Sequence, residues 1–254
     1  MIAISACNLN FWYGQKKVIH NISTDISEGE FVGVLGCNGS GKTTFLKILA
    51  GLLPCREGTV TIFNQPLNGI SIKERAKIIG YLSQFHSPVF PFTVEDVVLT
   101  ARASHVFSLP SKKDHDRTTE ALKQIGLQEI RKKPYTELSG GERQLTMIAR
   151  ILAQDPKVLI LDEPVNHLDI RNQLEIMTLL KRITRDLNLT TVLVLHDLNV
   201  AMRYADRFIF LKDGYLYLSG GREMINAETM KKVYRIDTVI EEIKGMTFVI
   251  PGIT

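Results

Sequence analysis

A glycine-rich stretch at residues 36–44 carries the most specific chemical signal in the sequence. Residues 36–43, which we call the phosphate loop, fit the pattern G-x-x-x-x-G-K-[ST], whose backbone amides surround phosphate groups. The preceding residues 30–35 have the composition of a buried strand, and apolar residues recur at helical spacing from 44 to 50. The sequence therefore predicts the strand, loop and helix that this motif requires.

The residue types in the phosphate loop suit a polyphosphate ligand. Glycines let the backbone approach the ligand closely, and the helix N-terminus adds the positive end of its dipole. Lys42 can reach terminal phosphates, and the Thr43 hydroxyl can ligate Mg²⁺. The alternative, a glycine-rich turn with a surface lysine, is disfavoured by the flanking strand and helix. The predicted binding residues here are Gly36, Asn38, Gly39, Ser40, Gly41, Lys42, Thr43 and Thr44.

A second candidate anion site lies at residues 138–142, with the sequence Leu-Ser-Gly-Gly-Glu. Ser139 suits the N-cap of a helix. Gly140 and Gly141 leave backbone amides unshielded at that helix N-terminus, where anions bind. The alternative is an ordinary helix start, which one glycine would satisfy and two in tandem weaken. The predicted apolar face of this helix is Leu145, Ile148, Ala149 and Leu152.

Two further groups with catalytic potential follow apolar runs typical of buried parallel strands. Asp162 and Glu163 follow the apolar run at 158–161. They lie at the carboxyl end of the predicted strand, where open α/β sheets bind ligands. Asp162 can hold Mg²⁺, and Glu163 can orient or deprotonate a water molecule. The alternative is a pair of solvated turn carboxylates. His196 follows the run at 190–195 and can donate to a γ-phosphate, although such a histidine is more often structural.

Two side chains near these motifs allow both a functional and a structural interpretation. Tyr13, beside Phe11 and Trp12, could stack on a nucleotide base. From the sequence alone, a core aromatic is the favoured interpretation. The Cys37 thiol lies among the loop amides and near Lys42, a setting that favours the reactive thiolate. An inert cysteine that fills the loop is equally compatible with the sequence.

The order of elements predicts an α/β core with an inserted helical lobe. Thr93 and Asp96 have the spacing of a capping box, and a polar-rich helical pattern continues from there to Tyr135. One further helix and a short strand are predicted to close the chain. Strands are predicted at residues 2–11, 17–26, 59–63, 78–82, 158–162, 190–195, 207–211 and 215–218.

The composition is that of an ordinary globular protein, with 254 residues, 44% of them hydrophobic and 23% charged. The net charge of +4 is too small to argue by itself for binding to nucleic acid. No apolar run approaches the roughly 20 residues of a transmembrane helix, and the N-terminus lacks the basic region of a secretory signal. Three cysteines without metal-binding spacing predict a reducing, cytosolic setting.

Taken in order, these motifs resemble the ATP-binding cassette of ABC transporters over nearly the whole chain. The matching segments are Tyr13, residues 36–43, Gln84, residues 138–142, residues 158–163, residues 166–169 and His196. The resemblance implies a P-loop NTPase core with a mostly parallel sheet, an antiparallel β subdomain and an inserted α-helical subdomain. The implied core is residues 1–84 and 155–254, and the implied helical subdomain is residues 85–154.

The resemblance also implies roles for residues and partners. Glu163, His196 and Gln84 would be catalytic, and Thr43, Gln84 and Asp162 would hold Mg²⁺. ATP would be bound by Tyr13, the phosphate loop with Thr44, and, in a head-to-tail dimer with a second copy, by Ser139, Gly140, Gly141 and Asp169. The implied setting is the cytoplasmic face of the membrane, on integral-membrane permease subunits and without nucleic acid.

Finer features are similar to the branch that imports iron–siderophores, haem, cobalamin or oxyanions; they are residues 90–94, 99–102 and 196–199. Phe90, Phe92 and Arg102 are expected to couple the helical lobe to the permease. Cys37 departs from the family's usual proline, Val165 from threonine and Leu145 from arginine. The alternative function is a soluble ABC ATPase acting on nucleic acid or ribosomes, which usually carries two cassettes or a long coiled-coil insertion.

Overall fold

The structure, a computed structural model, describes residues 1–83, 92–105 and 109–252. These residues form two compact units, one of Met1–Gly69 with Thr190–Thr254 and one of Ile70–Leu189. In chain order the elements are β1 (Ile2–Tyr13), β2 (Lys16–Ser27), β3 (Phe31–Leu35), α1 (Lys42–Leu49), β4 (Glu57–Ile62), β5 (Gln65–Pro66), α2 (Ile72–Ile78), β6 (Ile79–Leu82), α3 (Val94–Leu99), α4 (Lys112–Ile125), α5 (Gly140–Leu152), β7 (Val158–Leu161), α6 (Ile170–Asp186), β8 (Thr190–Val194), α7 (Leu198–Tyr204), β9 (Arg207–Lys212), β10 (Tyr215–Gly220), α8 (Ala227–Tyr234), β11 (Thr238–Ile243) and β12 (Met246–Pro251).

The first unit contains an antiparallel sheet in the order β2-β1-β4-β5. The long strands β1 and β2 form an antiparallel hairpin in which buried and exposed residues are interspersed, as in a sheet with one covered face. A bulge at Asn8, which has a φ of 51°, shifts the register of β1 between Ala6 and Leu9. The hairpin ends at Tyr13 and thereby places an aromatic side chain at its tip.

The same unit contains strands in the order β10-β9-β3-β8, with β3 parallel to both β8 and β9. All five residues of β3 and all five of β8 are buried, as expected for parallel strands covered on both faces. The antiparallel β9–β10 hairpin turns at Asp213 and Gly214, where the sequence predicted it. The carboxyl end of β3 leads directly into the phosphate loop and α1.

The end of the chain differs from its prediction. The sequence analysis expected one short strand after the last helix, but β11 and β12 form an antiparallel hairpin. Its turn, Lys244 and Gly245, has positive φ at both residues, the geometry of a two-residue hairpin loop. The hairpin is fixed to α7 because Asn199 accepts from the Val249 amide at 2.8 Å. This long-range contact has no signature in the local sequence.

The second unit combines the parallel pair β6–β7 with helices α2 to α6. The predicted capping box at α3 is confirmed, since Thr93 Oγ1 accepts from the Asp96 amide at 3.2 Å and Asp96 accepts from the Thr93 amide at 3.1 Å. The chain enters this unit after Gly69 and leaves it at Leu189, so the unit is an insertion in the first. The narrower helical subdomain of residues 85–154 stays a prediction.

Arg102 has a structural position instead of the expected coupling surface. Its side chain is 2% exposed, and its Nε donates to Asp114 Oδ1 at 3.0 Å. One guanidinium nitrogen also donates to the Ala153 carbonyl at 2.7 Å. Arg102 therefore ties the segment after α3 to the start of α4 and the end of α5. Of the other two expected coupling residues, Phe92 is 54% exposed. Phe90 lies outside the described residues.

None of the helices in the described part of the chain combines the length and apolarity needed to cross a membrane.

Candidate functional site

The backbone of the phosphate loop has a conformation that requires glycine at several positions. Gly36, Gly39 and Gly41 have φ values of 147°, 78° and 96°, which L side chains rarely adopt. A Cβ on Gly36 would lie 2.1 Å from the Leu211 carbonyl oxygen, so only glycine fits there. Gly41 precedes α1, and no side chain of the described residues caps that helix. The N-terminus of α1 therefore carries the positive end of the helix dipole, which favours an anion.

Lys42 lies along the loop that it is predicted to serve. Its Nζ donates to the carbonyl oxygens of Gly36 at 2.8 Å and Cys37 at 3.0 Å, and the residue is only 6% exposed. A buried ammonium group held by loop carbonyls keeps positive charge at the base of the loop. That charge complements a polyphosphate in a setting of reduced dielectric.

The Ser40 hydroxyl provides a direct test of whether the residues fit such a ligand. Ser40 is 4% exposed, and its buried Oγ has no hydrogen-bond partner among the residues that the structure describes. A buried hydroxyl without a partner is costly, and native structures rarely keep one without a reason. A phosphate oxygen would satisfy it. The loop therefore fits a ligand that carries phosphate.

Tyr13 is 49% exposed at the tip of the β1–β2 hairpin, which excludes the core-aromatic interpretation. Its ring contacts Phe11 edge to face, with centroids 4.9 Å apart at 81°. The buried Phe11 thus supports the Tyr13 ring. An exposed, supported ring of this kind can stack on a nucleotide base.

His196 is exposed, two residues after the end of β8. The next residue, Asp197, caps α7 by accepting from the amides of Asn199 at 2.7 Å and Val200 at 3.0 Å. This cap fixes the backbone at the carboxyl end of β8. The imidazole is accessible there, as its predicted role requires.

In the second unit, Ser139 caps α5 within a full capping box. Its Oγ accepts from the Glu142 amide at 3.3 Å, and Glu142 accepts from the Ser139 amide at 2.7 Å. This hydrogen bond to the Ser139 amide lowers the pKa of Glu142, and Lys133 at 3.6 Å adds to the effect. Gly140 is exposed, so its backbone can be approached by an anion.

Asp162, the predicted Mg²⁺ ligand, and Glu163, the predicted base, differ in environment. Asp162, at the end of β7, is 2% exposed, which excludes a solvated turn carboxylate at this position. Glu163 has a φ of 55°, a strained conformation that costs about 1–3 kcal/mol and is concentrated at functional sites. Its Oε2 accepts from Asn166 Nδ2 at 2.7 Å. Asn166 therefore orients the Glu163 carboxylate.

Asp169 and α5 are brought together by a residue that the sequence analysis did not single out. Asn172 donates its backbone amide and its Nδ2 to the two Asp169 carboxylate oxygens, at 2.8 and 2.7 Å. The same Asn172 lies 3.0 Å from the position of a Cβ on Gly141. The close packing of Asn172 explains the second glycine of the tandem. The only local signal was the asparagine three residues after an N-cap aspartate.

Gln84 lies outside the described residues. Among the described part of the chain, no group of three or more histidine, cysteine or acidic residues has the arrangement of a metal site. A Mg²⁺ ion bound through phosphates and one or two protein oxygens does not need such a group.

Comparison with known proteins places the chain in a large family. The sequence profile described as ABC transporter matches residues 19–166. An uncharacterized ABC transporter ATP-binding protein of Methanocaldococcus jannaschii is 40% identical over 99% of this chain and 98% of its own length. The ferric enterobactin transport ATP-binding protein FepC of Escherichia coli is 33% identical over 96% of this chain and 92% of its own length.

Two solved structures confirm the predicted α/β fold class. A chain from an inward-facing transporter assigned to the metal-chelate type superimposes with a TM-score of 0.86, at 29% identity, over 99% of this chain and 97% of that one. A dimeric ATP-binding cassette bound to ADP and Pi, in a post-hydrolysis state, gives a TM-score of 0.75 at 32% identity, over 86% of this chain and 98% of that one.

Proposed function

The chain belongs to the ABC transporter family and is an ATPase of that family, and we propose that it powers an importer. The proposed cargo is a metal chelate, such as an iron–siderophore, haem or cobalamin, or an oxyanion. The cargo would pass through separate integral-membrane permease subunits. The observation that carries this proposal is the match, over almost the full length, to FepC, which is named for ferric enterobactin transport. The metal-chelate type structure supports the same branch.

We assign ATP binding to the phosphate loop and Tyr13. The helix N-terminus of α1 and the Ser40 hydroxyl, which has no partner among the described residues, support phosphate binding. The exposed Tyr13 ring supports base stacking. Thr43 and Asp162 would hold Mg²⁺, with Gln84 as the third ligand that the family resemblance implies. Bound Mg²⁺ would neutralise charge on the β- and γ-phosphates.

Hydrolysis would then depend on Glu163. Its carboxylate, oriented by Asn166, would position and deprotonate the attacking water. His196 would donate a hydrogen bond to the γ-phosphate. The strained backbone at Glu163 supports this assignment, since such strain is retained where a side chain must be aimed.

The working form would be a head-to-tail dimer of two copies. Each chain has two helix N-termini suited to anions, one at α1 and one at α5. In the proposed dimer, Ser139, Gly140, Gly141 and Asp169 of one copy would complete the site around ATP held by the other. The dimeric cassette with bound ADP and Pi supports this arrangement. The dimer would lie at the cytoplasmic face of the membrane, on its permease.

The experiment that tests this function is uptake in a strain lacking the gene. Uptake of radiolabelled iron–siderophore, haem, cobalamin and molybdate is measured with the wild-type gene or with Lys42→Ala restored. We expect loss of uptake of one cargo, restored by wild type and not by Lys42→Ala. Normal uptake of all four, together with a defect in translation, would replace this proposal with the nucleic-acid or ribosome alternative.

A further inference from the structure

Gly214, in the β9–β10 turn, joins the phosphate loop to the antiparallel sheet by hydrogen bonds on both sides. The Gly214 amide donates to the Ser40 carbonyl at 3.2 Å, and the Gly214 carbonyl accepts from the His20 amide at 2.9 Å. Ser40 belongs to the phosphate loop and His20 to β2. Gly214 therefore bridges the loop and the strand by its own backbone groups.

This bridge leaves no space for a side chain. Asp213 and Gly214 have φ values of 50° and 82°. A Cβ on Gly214 would lie 2.2 Å from the Val18 carbonyl oxygen and 2.7 Å from His20 Cδ2. Because the carbonyl oxygen is backbone and cannot rotate away, any side chain at 214 must displace the turn from β2. The turn would then carry its hydrogen bond to Ser40 out of position.

Two further contacts hold β2 next to the phosphate loop and next to β10. A Cβ on Gly41 would lie 2.9 Å from Ile19 Cδ1 and 3.4 Å from the Val18 carbonyl oxygen, so β2 packs directly against the end of the loop. The rings of His20 and Tyr215 are stacked, with centroids 4.4 Å apart and planes at 15°. The stack holds β10 beside β2 next to the Gly214 bridge.

We propose that Gly214 is a positioning residue for triphosphate binding. Through Ser40 it keeps the loop amides in their binding orientation, and through His20 it keeps the loop at a set distance from the hairpin that carries Tyr13. A displacement of about 1 Å in such a preorganised site can cost up to about 10²-fold in activity. This inference rests on the proposed function, in which the phosphate loop binds the triphosphate of ATP.

The test compares Gly214→Ala with a matched control, Gly245→Ala, in the full chain. Gly245 also ends a two-residue hairpin turn at positive φ, with φ of 74° after Lys244 at 52°, but a Cβ there meets nothing within 4 Å. Both variants strain the backbone, and both should melt at lower temperature. With Mg²⁺ present, we expect Gly214→Ala to raise the Kd of ATP and of inorganic triphosphate by about tenfold or more. Gly245→Ala should bind both as wild type does.

Two additional variants, Tyr215→Leu and Lys42→Ala, distinguish failure of the positioning role from failure of the proposed function. Tyr215→Leu removes the ring stack without adding a clash, and we expect a smaller rise in both Kd values. If Gly214→Ala does not fold by circular dichroism, a wild-type Kd in Tyr215→Leu overturns the inference. If Lys42→Ala loses triphosphate binding while folded Gly214→Ala keeps it, the positioning role is wrong and the proposed function stands. If Lys42→Ala keeps triphosphate binding, the proposed function itself fails.

Discussion

At the scale of single residues, Glu163 is the side chain whose removal separates binding from chemistry. Glu163→Gln keeps the shape and the hydrogen bond from Asn166 but removes the base. We expect ATP binding close to wild type and a loss of hydrolysis of about 10²–10⁴-fold. The measurements are equilibrium ATP binding and steady-state phosphate release. Near-normal turnover in a variant that binds ATP would exclude Glu163 as the base.

Cys37 is the second residue with a testable consequence. Cys37 is an exposed residue of the phosphate loop, and its thiol donates to the Val233 carbonyl at 3.3 Å. We expect a thiol alkylator to inactivate the ATPase, Mg-ATP to protect it and Cys37→Ala to abolish the sensitivity. The rate of inactivation is measured as phosphate release after timed exposure to the alkylator.

The other two cysteines serve as controls. Cys7 is also exposed, so it should react without loss of activity. Burial raises the pKa of the Cys55 thiol, which should therefore react slowly. Cys37→Ala protein that is inactivated as fast as the parent would show that the damaging reaction occurs elsewhere.

At the scale of elements, the junction of α4 with the segment after α3 depends on one carboxylate. Hydrogen bonds from the Ser111 hydroxyl and amide, with the Arg102 guanidinium, lower the pKa of Asp114 to about 2. An ordinary aspartate has a pKa near 3.9 in the unfolded chain. The depressed value therefore stabilises the fold above about pH 4, and this contribution is lost as the pH falls toward 2.

Asp114→Asn tests this contribution. At pH 6 it leaves the buried Arg102 with only Asp155, at 3.3 Å, as an acidic partner among the described residues. We expect a loss of about 3 kcal/mol in the free energy of unfolding. Urea unfolding at pH 6 and pH 3 measures this loss. The difference in the free energy of unfolding between wild type and variant should be smaller at pH 3. If this difference is the same at both pH values, Asp114 acts by packing and not by charge.

At the scale of the whole molecule, the proposed dimer predicts complementation between two inactive chains. Lys42→Ala damages the phosphate loop, and Ser139→Arg blocks the N-terminus of α5. In a mixed head-to-tail dimer, one composite site combines the intact loop of the Ser139→Arg chain with the intact α5 of the Lys42→Ala chain. We expect each variant alone to be inactive and the mixture to regain partial ATPase activity. No recovery in mixtures shown to contain mixed dimers would argue against shared sites.

The features that depend on local order could be predicted from the sequence alone. The phosphate loop, the Leu-Ser-Gly-Gly-Glu helix start, the capping box at Thr93 and the β9–β10 turn are each set by residue types a few positions apart. The family, the ATPase activity and the α/β fold class followed from these motifs and are confirmed by the comparisons. The roles of the individual site residues stay predictions.

The exposure of these side chains, and the contacts that support them, depend on tertiary contacts that the sequence does not show. Tyr13 is exposed because it ends a hairpin strand, whereas Phe11 in the same strand is buried, and local sequence does not separate the two. Arg102 is buried because Asp114 and Ala153, distant in sequence, supply its partners. Gly214 bridges β2 and the phosphate loop because three segments far apart along the chain converge at the β9–β10 turn. Contacts between distant segments have no local pattern, so no reading of periodicity or spacing could have predicted them.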